Sequence, residues 1–248
     1  MTSASLFSRT THAARLAAVT VLGGLTMCSL PVAAQLGATD VTGIRLGASA
    51  AEVEATLRSL DPRFKYLIVY YADANGKASS SVATIKAAVQ VGSDLRGIDW
   101  ARQNGFAVYF GESSGKAFAI YRQTANRQGI SIPQTEAAVA EKYGPSRGTY
   151  PGIYVRNTDA SGKVVDSCGG SGFGWQGGPG GYDPRCGQSL KVQFDPKSPG
   201  VAAGFQTWLF DHQLAKAAIE ASQAKQQAAA QEAARKQQES LRANRPAL

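Results

Sequence analysis

The residues able to do chemistry are few and scattered. Ser171 stands among glycines in Gly169-Gly170-Ser171-Gly172-Phe173, and a serine becomes a nucleophile only with a base in reach. This run lacks the final glycine of a nucleophile elbow. The base would have to be His212, the sole histidine beyond the N-terminal leader, which reads as a surface or capping residue where a C-terminal helix begins. Paired carboxylates could hydrolyse a glycosidic bond. Yet Asp61, Asp73, Asp94, Asp99, Asp159, Asp166, Asp183 and Asp195 all occupy turn-like contexts, where aspartate serves the backbone. No catalytic residue is assigned on this reading. With a single histidine, a metal centre of about four N, S or O donors is not expected, and no cofactor is called for.

The cysteines are more informative. Residues 1–34 read as a secretory signal: Arg9 and Arg15 form a positive leader, residues 16–30 an apolar run too short for an anchor, and Val32-Ala33-Ala34 a small-residue cleavage site. The rival is a lipoprotein signal with Cys28 lipidated, although Met27 is larger than such a site normally accepts. An exported chain starting at Gln35 keeps Cys168 and Cys186, and two thiols in an oxidising compartment most simply form one disulfide. That closure contributes roughly 3 kcal/mol in the chain-entropy view. Between them lie 17 residues, eight of them glycine, together with Phe173, Trp175 and Tyr182. Glycine at that density has little order of its own, so the bridge limits the loop's freedom. Two readings follow. The loop presents its aromatics to a sugar or a partner protein, or it is a hairpin excursion whose aromatics fold back onto a sheet. A phosphate cradle is rejected, because no Gly-Lys-Ser/Thr ending follows the glycines.

The elements that must position these residues form a pattern. Asp73-Ala74-Asn75-Gly76-Lys77 recurs as Asp159-Ala160-Ser161-Gly162-Lys163, an offset of 86 that also carries Ile44, Leu46, Ser49, Val53 and Leu57 onto Ile130, Ile132, Thr135, Val139 and Tyr143. Ser49 with Glu52 makes a capping box before Val53, Leu57 and Leu60, and Pro62 stops that helix. The second helix is expected after Pro133 and Thr135, ending at Gly144-Pro145. Strands are expected at 66–71, 82–91, 106–110 and 117–121, then at 153–156, 164–165 and 190–194, with Asn75-Gly76 as a hairpin turn. The expected fold is α+β: two tandem copies of a helix-plus-antiparallel-meander unit, residues 35–128 and 129–204, followed by a C-terminal helix and polar tail, 205–248. Phe205, Trp208, Leu209 and Leu214 would give that helix its apolar face. If the two copies cover each other's sheets, a cleft forms between them.

Gly43-Ile44-Arg45-Leu46-Gly47-Ala48-Ser49, followed by Glu52-Val53 and Leu57, resembles the helix entry of SmpA/OmlA-type outer-membrane assembly lipoproteins. It is also similar to the β-lactamase-inhibitory proteins, built from two tandem helix-then-sheet units. The resemblance implies a small non-enzymatic module that binds another protein, and it transfers no contact residue.

Composition and charge bound the rest. In 248 residues, 44% are apolar and 18% charged, which fills a core and excludes collagen, wholesale disorder and a disulfide-dense miniprotein. The net charge of +8, or +6 without the leader's two arginines, includes a basic C-terminal tail able to make only weak contact with anionic surfaces. Beyond Ala221 that tail favours helix but has no stripe to pack. Nucleic acid is disfavoured by the export signal. The expected function is a periplasmic or secreted binding module for a protein or cell-envelope component. A hydrolase of envelope polymers working in the cleft is the alternative, and a structural component assembled through the C-terminal arm is a third class.

Overall fold

The computed structural model describes residues 39–72, 78–89, 104–111, 114–147, 152–168 and 181–243. They form a mixed α+β structure around one eight-stranded antiparallel sheet, with a long C-terminal helix. A small hairpin comes first: β1 (Asp40–Val41) and β2 (Ile44–Arg45) turn through Thr42 and Gly43 at φ 54 and 84. Two successive positive φ values are what a tight two-residue hairpin demands. Glycine meets the demand without strain, whereas β-branched Thr42 does so at a cost.

Helix α1 (Ala50–Leu60) starts where the sequence marks it. Ser49 Oγ accepts from the Glu52 N–H, and the Glu52 carboxylate accepts from the Ser49 N–H. Val53 and Leu57 are buried and Leu60 is exposed. Strands β3 (Lys65–Ala72), β4 (Ala78–Ala88), β5 (Gly105–Gly111) and β6 (Ala117–Ser131) then follow as an antiparallel meander. Helix α2 (Ile132–Tyr143) opens directly off β6, capped by Ser131, whose Oγ accepts from Gln134 N, with Pro133 in its first turn. Thr135, the residue that the 86-residue offset pairs with Ser49, therefore lies inside the helix. There its hydroxyl donates to Ser131 O.

After α2 come β7 (Ile153–Asp159), β8 (Val164–Val165), β9 (Cys186–Ser198), β10 (Val201–Asp211) and α3 (His212–Ala243). The strand order is β3-β4-β5-β6-β10-β9-β7-β8. The two halves share an element order, a helix and then four strands, but not a strand order. The second is no meander: β7 pairs directly with β9, and β8 sits outside it. The reason lies in the chain. In the first half the 11-residue β4 separates β3 from β5, whereas β8 is two residues long and runs on toward the glycine-rich segment, which has few side chains to hold a strand. The expected division at 128–129 falls inside β6.

The expected helix from Phe205 is also corrected: residues 205–211 belong to β10, and α3 begins at His212. β10 pairs with β6 on one side and β9 on the other and is covered on both faces. Thr207 and Leu209 face one layer while Phe210 faces the other, all three buried. A strand apolar on both faces hides its period of two.

The covering layers differ. On one face α1, α2 and the β1–β2 hairpin bring Val53, Leu57, Tyr143, Val41 and Ile44 onto Val108, Ile120, Leu190 and Leu209. On the other, α3 lays Leu214, Ala215 and Ala218 onto Tyr109, Phe118 and Phe210. Past residue 222 every described side chain of α3 is exposed. No described helix is long and apolar enough to cross a membrane.

Candidate functional site

Four of the residues singled out in the sequence, Cys168, Cys186, Asp183 and His212, come together where the described chain resumes at Gly181. Cys168, just past β8, and Cys186, the first residue of β9, form a disulfide with Cα atoms 5.9 Å apart. Residues 182–186 cross this bridge and meet the start of α3. Asp183 N donates to His212 Nδ1 at 3.0 Å, and Gln213 Nε2 donates to Pro184 O and Cys186 O at 3.0 and 2.6 Å. Arg185 turns back on Asp183, with N and Nε donating to Oδ1 and Nη2 to Oδ2. Asp211 caps α3, its Oδ1 accepting from the Gln213 and Leu214 N–H groups.

His212 is the centre of this junction and is fully buried. Because Nδ1 accepts the Asp183 N–H, the ring proton sits on Nε2, which donates to Ser189 Oγ at 2.9 Å. The Phe210 ring packs edge-on at 4.7 Å. Burial pushes the His212 pKa below its usual 6.5, against the pull of Asp183 and Asp211 in the other direction. The ring is therefore neutral at pH 7.

This geometry decides the chemistry. Ser189 and His212 are hydrogen-bonded like a nucleophile and base, but both are buried, and a base must touch the substrate's proton. The two sulfurs and a His212 ring nitrogen lie within 4.8 Å of one another, a spacing that metal sites use. Here the sulfurs are spent in the bridge, one ring nitrogen accepts a backbone N–H and the other carries the proton, so no lone pair faces a cation. The junction is a lock: it fastens residues 182–186 to β9 and α3.

Ser171, Phe173 and Trp175 lie outside the described residues, as do Asp73, Asp94 and Asp99. Tyr182 is half-buried and packs, with Trp208 and Leu214, against the apolar layer beneath α3. The Tyr121 ring lies 5.3 Å from that of Trp208, and Lys191 Nζ stands 5.2 Å from the indole centroid. Tyr121 donates to Gln123 Oε1 at 2.9 Å. Trp208 thus stands between buried Tyr121 and Lys191 on the face opposite α1 and α2, and Tyr182 packs on the same apolar layer. Trp208 lies on β10 rather than on the helix expected from Phe205, and with apolar residues on both faces of that strand no alternation in the sequence marks its position. Among the described aspartates Asp61 and Asp159 serve turns, whereas Asp195, expected in a turn, lies within β9, and Asp166 stands 3.7 Å from Arg147. Asp159 Oδ1 accepts from Ser161 N, Ser161 Oγ and Lys163 N, and Asp61 binds Arg63.

A second arrangement has no sequence signal. Arg122 on β6 is half-buried, with its guanidinium 5.7 Å from the Phe106 ring and Nη1 donating to Thr42 Oγ1 at 2.5 Å. Among the described residues no carboxylate pairs with it. Burial lowers its pKa. The nearby Asp40 carboxylate is engaged by Lys142 Nζ and Gly43 N, both at 2.8 Å.

Compared with known protein families, curated proteins and solved structures, the chain matches none.

Proposed function

We propose that the chain is an exported, disulfide-bonded, non-enzymatic binding module that recognises a protein or cell-envelope partner through the sheet face carrying Tyr182 and Trp208. Phe173 and Trp175, in the glycine-rich sequence between the two cysteines, are the other candidate contact aromatics. The observation that carries the reading is a half-buried Trp208 between Tyr121 and Lys191, with half-buried Tyr182 on the same layer. Aromatics with a neighbouring cation are the residues that dominate binding energetics. The leader of residues 1–34 delivers the chain to the periplasm or beyond, where the Cys168–Cys186 bridge persists. The shared element order and the recurrence of the Asp73–Lys77 sequence as Asp159–Lys163 fit two diverged copies of one helix-plus-sheet unit. The hydrolase reading draws no support from His212, which is sealed from substrate.

The test is affinity capture from envelope extracts with the 35–248 chain, as wild type and as a Phe173→Ala/Trp175→Ala variant shown by circular dichroism to be folded. The reading expects a discrete partner recovered by the wild type and depleted at least tenfold with the variant. Recovery of the same proteins by both removes those aromatics from the binding surface.

A further inference from the structure

The junction at His212 holds a titratable ring at a point where only the neutral form fits. We propose that His212 is an acid-sensitive latch: a proton on Nδ1 removes the acceptor of the Asp183 N–H and releases residues 182–186, Tyr182 among them, from the start of α3. This inference stands apart from the identity of any partner.

The argument is one of donors and acceptors. Neutral His212 offers one lone pair, at Nδ1, and the Asp183 N–H fills it at 3.0 Å. An imidazolium has N–H groups at both nitrogens and accepts nothing, so it would set two donors face to face inside a buried site. A buried N–H deprived of its acceptor keeps the full desolvation cost. The ring therefore takes a proton only when residues 182–186 have moved away, which couples proton uptake to opening.

The charged groups around the ring do not rescue the closed imidazolium. From the 182–186 segment, the Asp183 carboxylate is held in a fork by Arg185, and the Arg185 cation opposes a second positive charge. From β10, Asp211 is occupied by the Gln213 and Leu214 N–H groups and by Gln188 Nε2. β9 presents the Ser189 hydroxyl and the Gln188 side chain, and carries the Lys191 cation two residues beyond Ser189 on the same face, a charge that also opposes a closed imidazolium. On α3 itself, Lys216 lies one turn further along and pairs with Glu220. The disulfide does not titrate. It also confines the motion, because Cys186 stays bridged to Cys168 and paired within β9 to β7.

The sign follows. The closed-state pKa lies below the 6.5 of a free histidine, so below pH 6.5 the open state binds more protons than the closed one. Opening then rises by up to about tenfold per pH unit, until the closed-state pKa is reached. Above pH 6.5 the latch is pH-independent.

The test is amide hydrogen exchange of the oxidised 35–248 chain from pH 7.5 to 5.0, with intrinsic rates divided out. Asp183 N–H protection should stay level above pH 6.5 and fall by up to tenfold per unit below it, while the Ile120 and Leu209 amides in the central strands keep theirs. His212→Gln, whose side-chain oxygen accepts and whose amide donates, should give a flat profile. Ser189→Ala removes only the Nε2 partner and should retain the pH dependence, which keeps the test open if the glutamine variant fails to fold. A level wild-type profile, the same fall in His212→Gln, or a parallel loss at Ile120 and Leu209 would overturn the latch.

Discussion

A half-buried guanidinium without a carboxylate is the least economical residue of the described chain. Arg122 has given up much of its hydration for one hydrogen bond to Thr42, itself the sole described non-glycine at positive φ. Replacing buried charge by an apolar side chain of similar length is often neutral or stabilising. Arg122→Met should therefore unfold within ~1 kcal/mol of the wild type or above it in thermal denaturation. A loss of about 3 kcal/mol, the scale of a broken buried pair, would show that the cation does have a counter-charge. Residue-level features of this kind were illegible in the sequence, because burial depends on which strands end up adjacent. What was legible at this scale was local: the Ser49–Glu52 box, the Asp159 turn and the pairing of the two cysteines, each fixed by neighbours in the chain or by simple elimination.

At the scale of elements, the four strands of the first meander fall where their apolar, β-rich runs predict them, while the Asn75-Gly76 turn lies outside the described residues. The second helix began earlier than expected because Ser131, not Thr135, caps it. β10 is hard to tell from helix in the sequence because both its faces carry apolar residues, so that Phe205, Trp208 and Leu209 match a helical spacing as easily as a strand. Helix α3 divides sharply. Its first turns carry Leu214, Ala215 and Ala218 onto the sheet, while the described side chains of residues 223–242 are exposed and make surface ion pairs such as Glu232 with Arg235 and Lys236. Exposed pairs of this kind contribute about 0.3–0.5 kcal/mol each to the helix and nothing to the core. Truncation after Ala221 should leave the midpoint of chemical unfolding almost unchanged, within ~0.5 kcal/mol, while far-ultraviolet ellipticity drops. A large fall in stability, or a change of oligomeric state by light scattering, would mean that the arm packs against something, as the structural-component reading requires.

For the whole molecule, the eight-stranded sheet is the organising feature. Its central pair, β6 and β10, joins chain segments about 80 residues apart, a pairing that no local pattern announces. The sheet separates two faces with different duties. One is buried under α1, α2 and the β1–β2 hairpin. The other meets α3 at one end and carries Tyr182, Trp208 and Lys191 beside the locked junction. Binding through this second face is the central claim, and site-specific photocrosslinking tests it most directly. A benzophenone amino acid is placed at Tyr182 or, as the opposite-face control, at Leu60 on α1, which is 40% exposed. Both forms are irradiated in intact envelopes. The account predicts a discrete crosslinked species from position 182 and none from position 60. Equal crosslinking from both positions, or a discrete species from position 60 alone, would contradict it.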